Sequence, residues 1–397
     1  MTGVANWGPA CAGMAPSLGL TIVTAEPSTG SISTEAVAIS TVGAKPAPLS
    51  AGIVIRRTLL TLAISAAGGG VAQLLNLPAA WLMGGAIAAA VAALLGAKVM
   101  LPNWLRDATF VFTGLSMGAN VARDSIALMA QWPVTLVALV LELILIIGVT
   151  GYFLRKLFRL DRGTAYLSSF PGHLSFVMSI AAAGVGDARQ IVIIQVIRIL
   201  LLTVCVPIGA LFLPLGHYAG GPLQEPIAPL SLLLVAAACG LTGFVFTRLR
   251  IPAGYALGAM AASMAAKFGG VFEGAMPPLL LTVVFILVGA LIGSRFNGIT
   301  RDEFRRAAIG GFAGTLVTVA IVTVVAFGAA QFVDMPFGQI WLGLSPGALE
   351  GMGALGIALG FDTAFIAAHH VSRLLLLTIA IPVVAMLVRE RETVDDK

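Results

Sequence analysis

Two stretches of the chain carry residue types that do chemistry only in a polar setting, and both lie in otherwise apolar sequence: SSFPGHLSFVMSIAAAGVGD from Ser168 and LSPGALEGMGALGIALGFD from Leu344. Small polar residues come just ahead of Pro171 and Pro346, and proline suits the first position of a helix, where its missing N–H is not needed. A helix therefore begins within each stretch, and its first backbone N–H groups, carrying roughly half a positive charge, point at whatever lies beside them and favour an anion. Discontinuous helices in paired positions are the best sequence pointer to a transporter site, which nominates Pro171, Gly172, His173, Ser345, Pro346 and Gly347 as solute contacts. The plain alternative is a Pro-kinked helix with glycines for close packing.

Arg198 and Arg373 follow Asp187 and Asp362 by eleven residues, about 16 Å along a helix and half the hydrocarbon thickness. An arginine at that depth costs at least ~2.5 kcal/mol, so each must face a polar interior, an acid or an anionic ligand. A guanidinium fork holds carboxylate or phosphate through two parallel hydrogen bonds. Two structural readings stand beside this: pairing between halves, Arg198 with Asp362 and Arg373 with Asp187, and each Asp serving as an N-cap close after a glycine. His369 and His370 lie one turn before Arg373, with side chains about 100° apart, so they do not chelate one metal as an i, i+4 pair would. One of them, with Glu350 and Glu142, offers a proton path; the commoner role of a buried histidine is a bond to a carbonyl. No metal site, cofactor or catalytic residue is expected.

The setting of these residues excludes most protein classes. Of 397 residues 58% are hydrophobic and 10% charged, against roughly 25% charged in a soluble domain. Mean hydropathy is +1.00. The net charge of +5 comes from 23 Lys and Arg against 18 Asp and Glu, clustered in short loops rather than on a face that tracks phosphates, so no nucleic-acid partner is expected. There is no GxxxxGK[ST], HExxH or GxSxG, and the three cysteines have no CxxC spacing. An enzyme is therefore not expected. The sequence predicts an all-α polytopic membrane protein whose partners are the lipid bilayer, a small anionic or zwitterionic solute and, as an open option, further copies of itself.

Apolar stretches fall near 58–76, 79–97, 108–122, 133–154, 163–186 and 188–214, and again near 229–249, 253–272, 277–295, 308–332, 338–360 and 363–388. The series repeats in detail. Gly69, Pro78 and Gly84 match Gly243, Pro252 and Gly258 at one spacing (252 − 78 = 174), and Phe110, Gly114 and Gly118 match Phe285, Gly289 and Gly293 at the next (289 − 114 = 175). Pro171-Gly172, Asp187, Arg198 and Pro207 then match Pro346-Gly347, Asp362, Arg373 and Pro382 at that second spacing (346 − 171 = 175). Basic clusters at Arg56-Arg57, Arg155 to Arg162 and Arg295 to Arg306 should face the cytoplasm, and segments 216–228 and 333–337, without Lys or Arg, should face outward. An odd number of crossings must then separate Arg162 from His217, so one of the two stretches between them does not cross. The Pro-Gly segment, about 21 Å of helix after Pro171, is too short and should be re-entrant or broken. Five crossings per half give two inverted five-span repeats with both termini cytoplasmic; six per half would give parallel repeats. The expected organisation is a disordered N-terminal arm over 1–50, repeat 1 over 51–215, an outer linker over 216–228, repeat 2 over 229–388 and a cytoplasmic tail over 389–397.

The doubled motif, SSFPGH and LSPGALEGMG, followed by IVIIQVIRILLL and AFIAAHHVSRLLLL, resembles the duplicated membrane proteins of the AbrB family over roughly residues 55–390. The resemblance implies a bacterial inner-membrane protein with a role in regulating gene expression or in oxidising ammonia. Neither role follows from the residues: the small β-rich DNA-binding module of the soluble regulator of that name is not visible, and a copper monooxygenase needs clustered His ligands. Ala348 stands at the position of His173, and Glu350 at that of Ser175, so the two halves are not identical. The residues favour a secondary transporter by alternating access, proton-coupled or not, with Asp187, Glu350, Asp362, His369 and His370 for ion pairing or coupling. The alternative is a non-transporting membrane sensor, and the remote one a membrane-embedded oxidase.

Overall fold

The computed structural model describes residues 50–121, 129–172, 174–182, 184–209 and 225–395. His173, most of the N-terminal arm, the greater part of the outer linker and the end of the tail lie outside them. Among the described residues the chain is helical, with a lone bridge between Pro226 and Ala275. The first series is α1 (Ala51–Leu74), α2 (Ala80–Leu94), α3 (Asn103–Ala119), α4 (Trp132–Phe158), α5 (Arg162–Ser169), α6 (Leu174–Ala182) and α7 (Ala188–Gly209). The second is α8 (Pro229–Arg248), α9 (Gly254–Phe268), α10 (Pro278–Ser294), α11 (Arg301–Ala329), α12 (Phe337–Leu344), α13 (Leu349–Leu359) and α14 (Thr363–Asp395).

Six of these are long and apolar enough to cross a membrane: α1, α4, α7, α8, α11 and the Thr363–Met386 part of α14. The stretches near 79–97, 108–122, 253–272 and 277–295, expected to span as well, give helices of 15 or 17 residues. At 1.5 Å per residue these reach about 22–26 Å, short of a ~30 Å core. α2 and α9 start within a residue of their apolar stretches but stop early, at Leu94 and Phe268, just ahead of left-handed turns at Gly96 (φ 95°) and Gly270 (φ 71°).

The two series interlock. α3 packs on α9 and α8, while α10 packs on α2 and α1. The Ser263 hydroxyl donates to the Leu115 carbonyl at 2.8 Å, and the Ser65 hydroxyl to the Ile286 carbonyl at the same distance. Glycine is what allows such approach: a Cβ on Gly289 would lie 2.9 Å from the Leu82 oxygen, and one on Gly114 would overlap the Ala256 carbonyl.

Candidate functional site

Each Pro-Gly segment runs inward and returns. The Asp187 backbone N–H donates to Thr164 Oγ1 at 2.6 Å, tying the start of α7 to the start of α5, and a Cβ on Gly163 would lie 2.7 Å from Gly186 N. At the matching place in the second series the Asp362 N–H donates to Gln339 Oε1 at 3.3 Å. The tips lie at Phe170–Gly172 and Ser345–Gly347, where the chain leaves one short helix and begins another. Gly172 turns with φ +127°, and a Cβ there would meet Leu374 and Leu377 of α14 at 3.5 Å.

A helix that ends inside the protein leaves carbonyls without partners, and its C-terminus carries negative partial charge. The buried arginines answer both needs. Arg198 donates from Nη1 to the Ser168 and Ser169 carbonyls, each at 3.3 Å, and from Nη2 to Phe170 O at 2.7 Å. Arg373 donates from Nη1 to Leu344 O (3.4 Å) and Ser345 O (2.8 Å) and from Nη2 to Gly347 O at 3.0 Å. The expected pairing of Arg198 with Asp362 and Arg373 with Asp187 is thus replaced by carbonyl capping. Asp187 is exposed and accepts from the Arg189 and Gln190 N–H groups; Asp362 accepts from the Ala364 N–H. Both aspartates do the work of N-caps.

The arginines differ in what surrounds them. Around Arg198 a narrow cleft opens between α4, α5, α7 and α11. It is lined by Thr150, Ser168, Ser169, Thr315 and Thr318, with Gly311 and Gly314 leaving room. About 10 Å³ is open to the centre of a water molecule, room for one water. Two polar atoms at this cleft have no hydrogen-bond partner, Arg198 Nε and the Ser168 hydroxyl, and both residues are buried. Thr150 and Thr318 hydroxyls face each other at 3.4 Å. α4 carries a π turn at Ile146–Thr150, next to the cleft, a distortion common at functional sites. Around Arg373 the corresponding positions are apolar: Val325 and Ala329 stand for Thr150 and Leu154, Gly343 and Leu344 for the serines, and Leu139, Val140 and Leu143 for the α11 residues. Leu139, Leu143, Val325, Ala329 and Leu344 are buried in the main core.

The other nominated residues are structural in their observed contacts. The Ser345 hydroxyl bonds back to Trp341 O at 2.7 Å, and the Met352 side chain packs on Gly347. Glu350, in the first turn of α13, pairs with Arg295 at 2.7 Å, so that half-helix N-terminus already has an anion of the protein's own. His369 bonds Thr135 Oγ1 through Nε2 at 2.8 Å and the Phe365 carbonyl through Nδ1 at 2.9 Å; His370 Nδ1 bonds the Ile366 carbonyl at 2.9 Å. No group of three or more His, Cys, Asp or Glu that could hold a metal occurs among the described residues. Sequence alone does not mark the cleft threonines as site residues, because a threonine in an apolar helix commonly bonds its own i−4 carbonyl, as Thr315 and Thr318 do here.

The molecule is therefore an all-helical protein with several membrane-length helices and two inward-turning Pro-Gly hairpins, each closed by a buried arginine. It belongs to the AbrB family, described as "Transition state regulatory protein AbrB", which matches residues 20–126 and 81–389. It is similar to the "Putative regulator AbrB" of Escherichia coli (strain K12), 25% identical over 315 residues that cover 78% of this chain and 90% of that one. It is also similar to the "Uncharacterized protein YhjN" of Bacillus subtilis (strain 168), 24% identical over 362 residues covering 82% and 91%.

Proposed function

We propose that this protein is a secondary transporter for a small anionic or zwitterionic solute, working by alternating access between two duplicated, inverted five-span repeats in a bacterial inner membrane. The carrying observation is the cleft at Arg198. A guanidinium with an unpartnered Nε, an unpartnered serine hydroxyl and paired threonines meet in the interior of an apolar chain, beside a hairpin tip. Buried polar groups without partners are costly, and an anionic group supplies the missing acceptors. The matching order of helices in the two series supports the duplication, and the basic segments 155–162 and 295–306 support a cytoplasmic placement for both. The narrowness of the cleft fits a closed state.

A carrier of this kind needs no catalytic step. The second reading, a membrane regulator acting through a partner, has in its favour the names of the family and of the E. coli relative. Uptake of labelled acetate, succinate, glycine and phosphate into sealed vesicles holding the purified protein separates the two. Flux of at least one solute, lost in Arg198→Gln, is the carrier result; binding with no flux across the panel overturns it in favour of the regulator.

A further inference from the structure

Glu142 is the one ionisable side chain of the α4 interior, and neither the hairpins nor the cleft account for it. It is fully buried, and both of its carboxylate oxygens lack a hydrogen-bond partner. It lies on the buried face of α4 that carries on through Ile146 to Thr150 at the cleft, and the π turn stands between them. The first hairpin tip lies against Leu374 and Leu377 of α14, next to Arg373, and α14 packs on α4, where His369, one turn before Arg373, bonds Thr135. Arg198, held to the tip carbonyls, Arg373 on α14 and Glu142 on α4 are thus buried charges on neighbouring elements.

The groups that α4 meets on every side are few. α14 brings His369, His370 and Arg373; α12 has no titratable side chain; α11 keeps Arg301, Asp302, Glu303, Arg305 and Arg306 in its first two turns; α5 brings Arg162 and Tyr166, the latter against Gly151 beyond the π turn. Both nitrogens of His369 are engaged, and His370 has Nδ1 bonded and Nε2 without a partner. Arg373 is therefore the charge that an incoming anion and Glu142 both sense.

Resting on the carrier reading, we propose that Glu142 is the proton-coupling carboxylate, so that an anion seated at Arg198 and a proton on Glu142 favour one another and move together. The physical reason is linkage. A negative group at Arg198 offsets the positive charge of the arginine pair, and the pair then holds an ionised Glu142 less strongly; by reciprocity a proton on Glu142 leaves the arginines freer to hold the anion.

Proton uptake from weakly buffered solution, recorded with a pH dye alongside calorimetric binding, tests this with acetate, succinate, glycine and inorganic phosphate as probes. On the alkaline side, at about pH 9, where the carboxyl has a proton still to gain, the unmodified protein should take up as much as one proton per bound anion, and Glu142→Gln should bind the same probe with no uptake, Glu142→Asp restoring part of it. In the unmodified protein, probe binding should also add the infrared carbonyl band of a protonated carboxyl, a readout that does not depend on any variant folding. Equal uptake by Glu142→Gln, or binding by the native protein with neither uptake nor the band, overturns the coupling and leaves the carrier reading standing. Glycine bound without uptake and lost in Glu142→Gln also overturns it, making the carboxylate an ammonium contact. Failure of every probe to bind defeats the carrier reading and the coupling together.

Discussion

Two arginines at matching sequence positions do the same structural job, yet their surroundings assign them different consequences. The fork of Arg373 closes three buried carbonyls, so Arg373→Ala leaves them without donors and should cost about 3–5 kcal/mol, read as a large drop in unfolding temperature in detergent. Thr318→Val removes only a hydroxyl of the cleft. It should change stability by less than ~1 kcal/mol while weakening solute uptake, whereas Val325→Thr, on the closed side, should leave uptake as it was. The arginines and aspartates were legible because a charge in an apolar run demands an explanation. Which partner each would take was not, since backbone carbonyls at a helix break offer as good an acceptor as an acid and leave no mark in the sequence. Glu142 was visible as a type, but only its lack of partners sets it apart from Glu350, which has Arg295.

At the level of elements, the proline and glycine spacing gave the hairpins their place, and the structure adds how they close. Gly163 and Gly186 let the two ends of the first hairpin touch. Gly163→Ala puts a methyl 2.7 Å from Gly186 N, and an overpacked backbone contact of this kind costs about 1–3 kcal/mol; thermal unfolding should show it. Nearby, Arg189 pairs with Glu303 at 2.9 Å and also donates to the Gly298 carbonyl, joining α7 to the start of α11, whose Thr300–Glu303 capping box fixes its first turn. The pair is about a quarter exposed, so Arg189→Gln should cost no more than about 1 kcal/mol, and less at high salt. Span lengths were the least legible feature. The apolar stretches run on to residues 97 and 272, while the helices stop at Leu94 and Phe268, ahead of the left-handed turns at Gly96 and Gly270.

For the whole molecule, the question is whether the two halves point the same way through the membrane. The turn after α1 (residues 75–79) has no Lys or Arg, whereas the matching turn after α8 (residues 249–253) contains Arg250 and follows Arg248. Loops rich in Lys and Arg stay on the cytoplasmic side, so the two matching turns should lie on opposite faces. Leu75 and Leu249 make the comparison direct, because both are about two-thirds exposed and each directly follows its helix. In a background with the three native cysteines replaced, a membrane-impermeant thiol reagent applied to intact cells should label Leu75→Cys and spare Leu249→Cys until the membrane is opened. Labelling of both or of neither means the halves are parallel. The hairpin tips would then approach from one face, and two halves that present their sites to the same side cannot exchange access by rocking against each other.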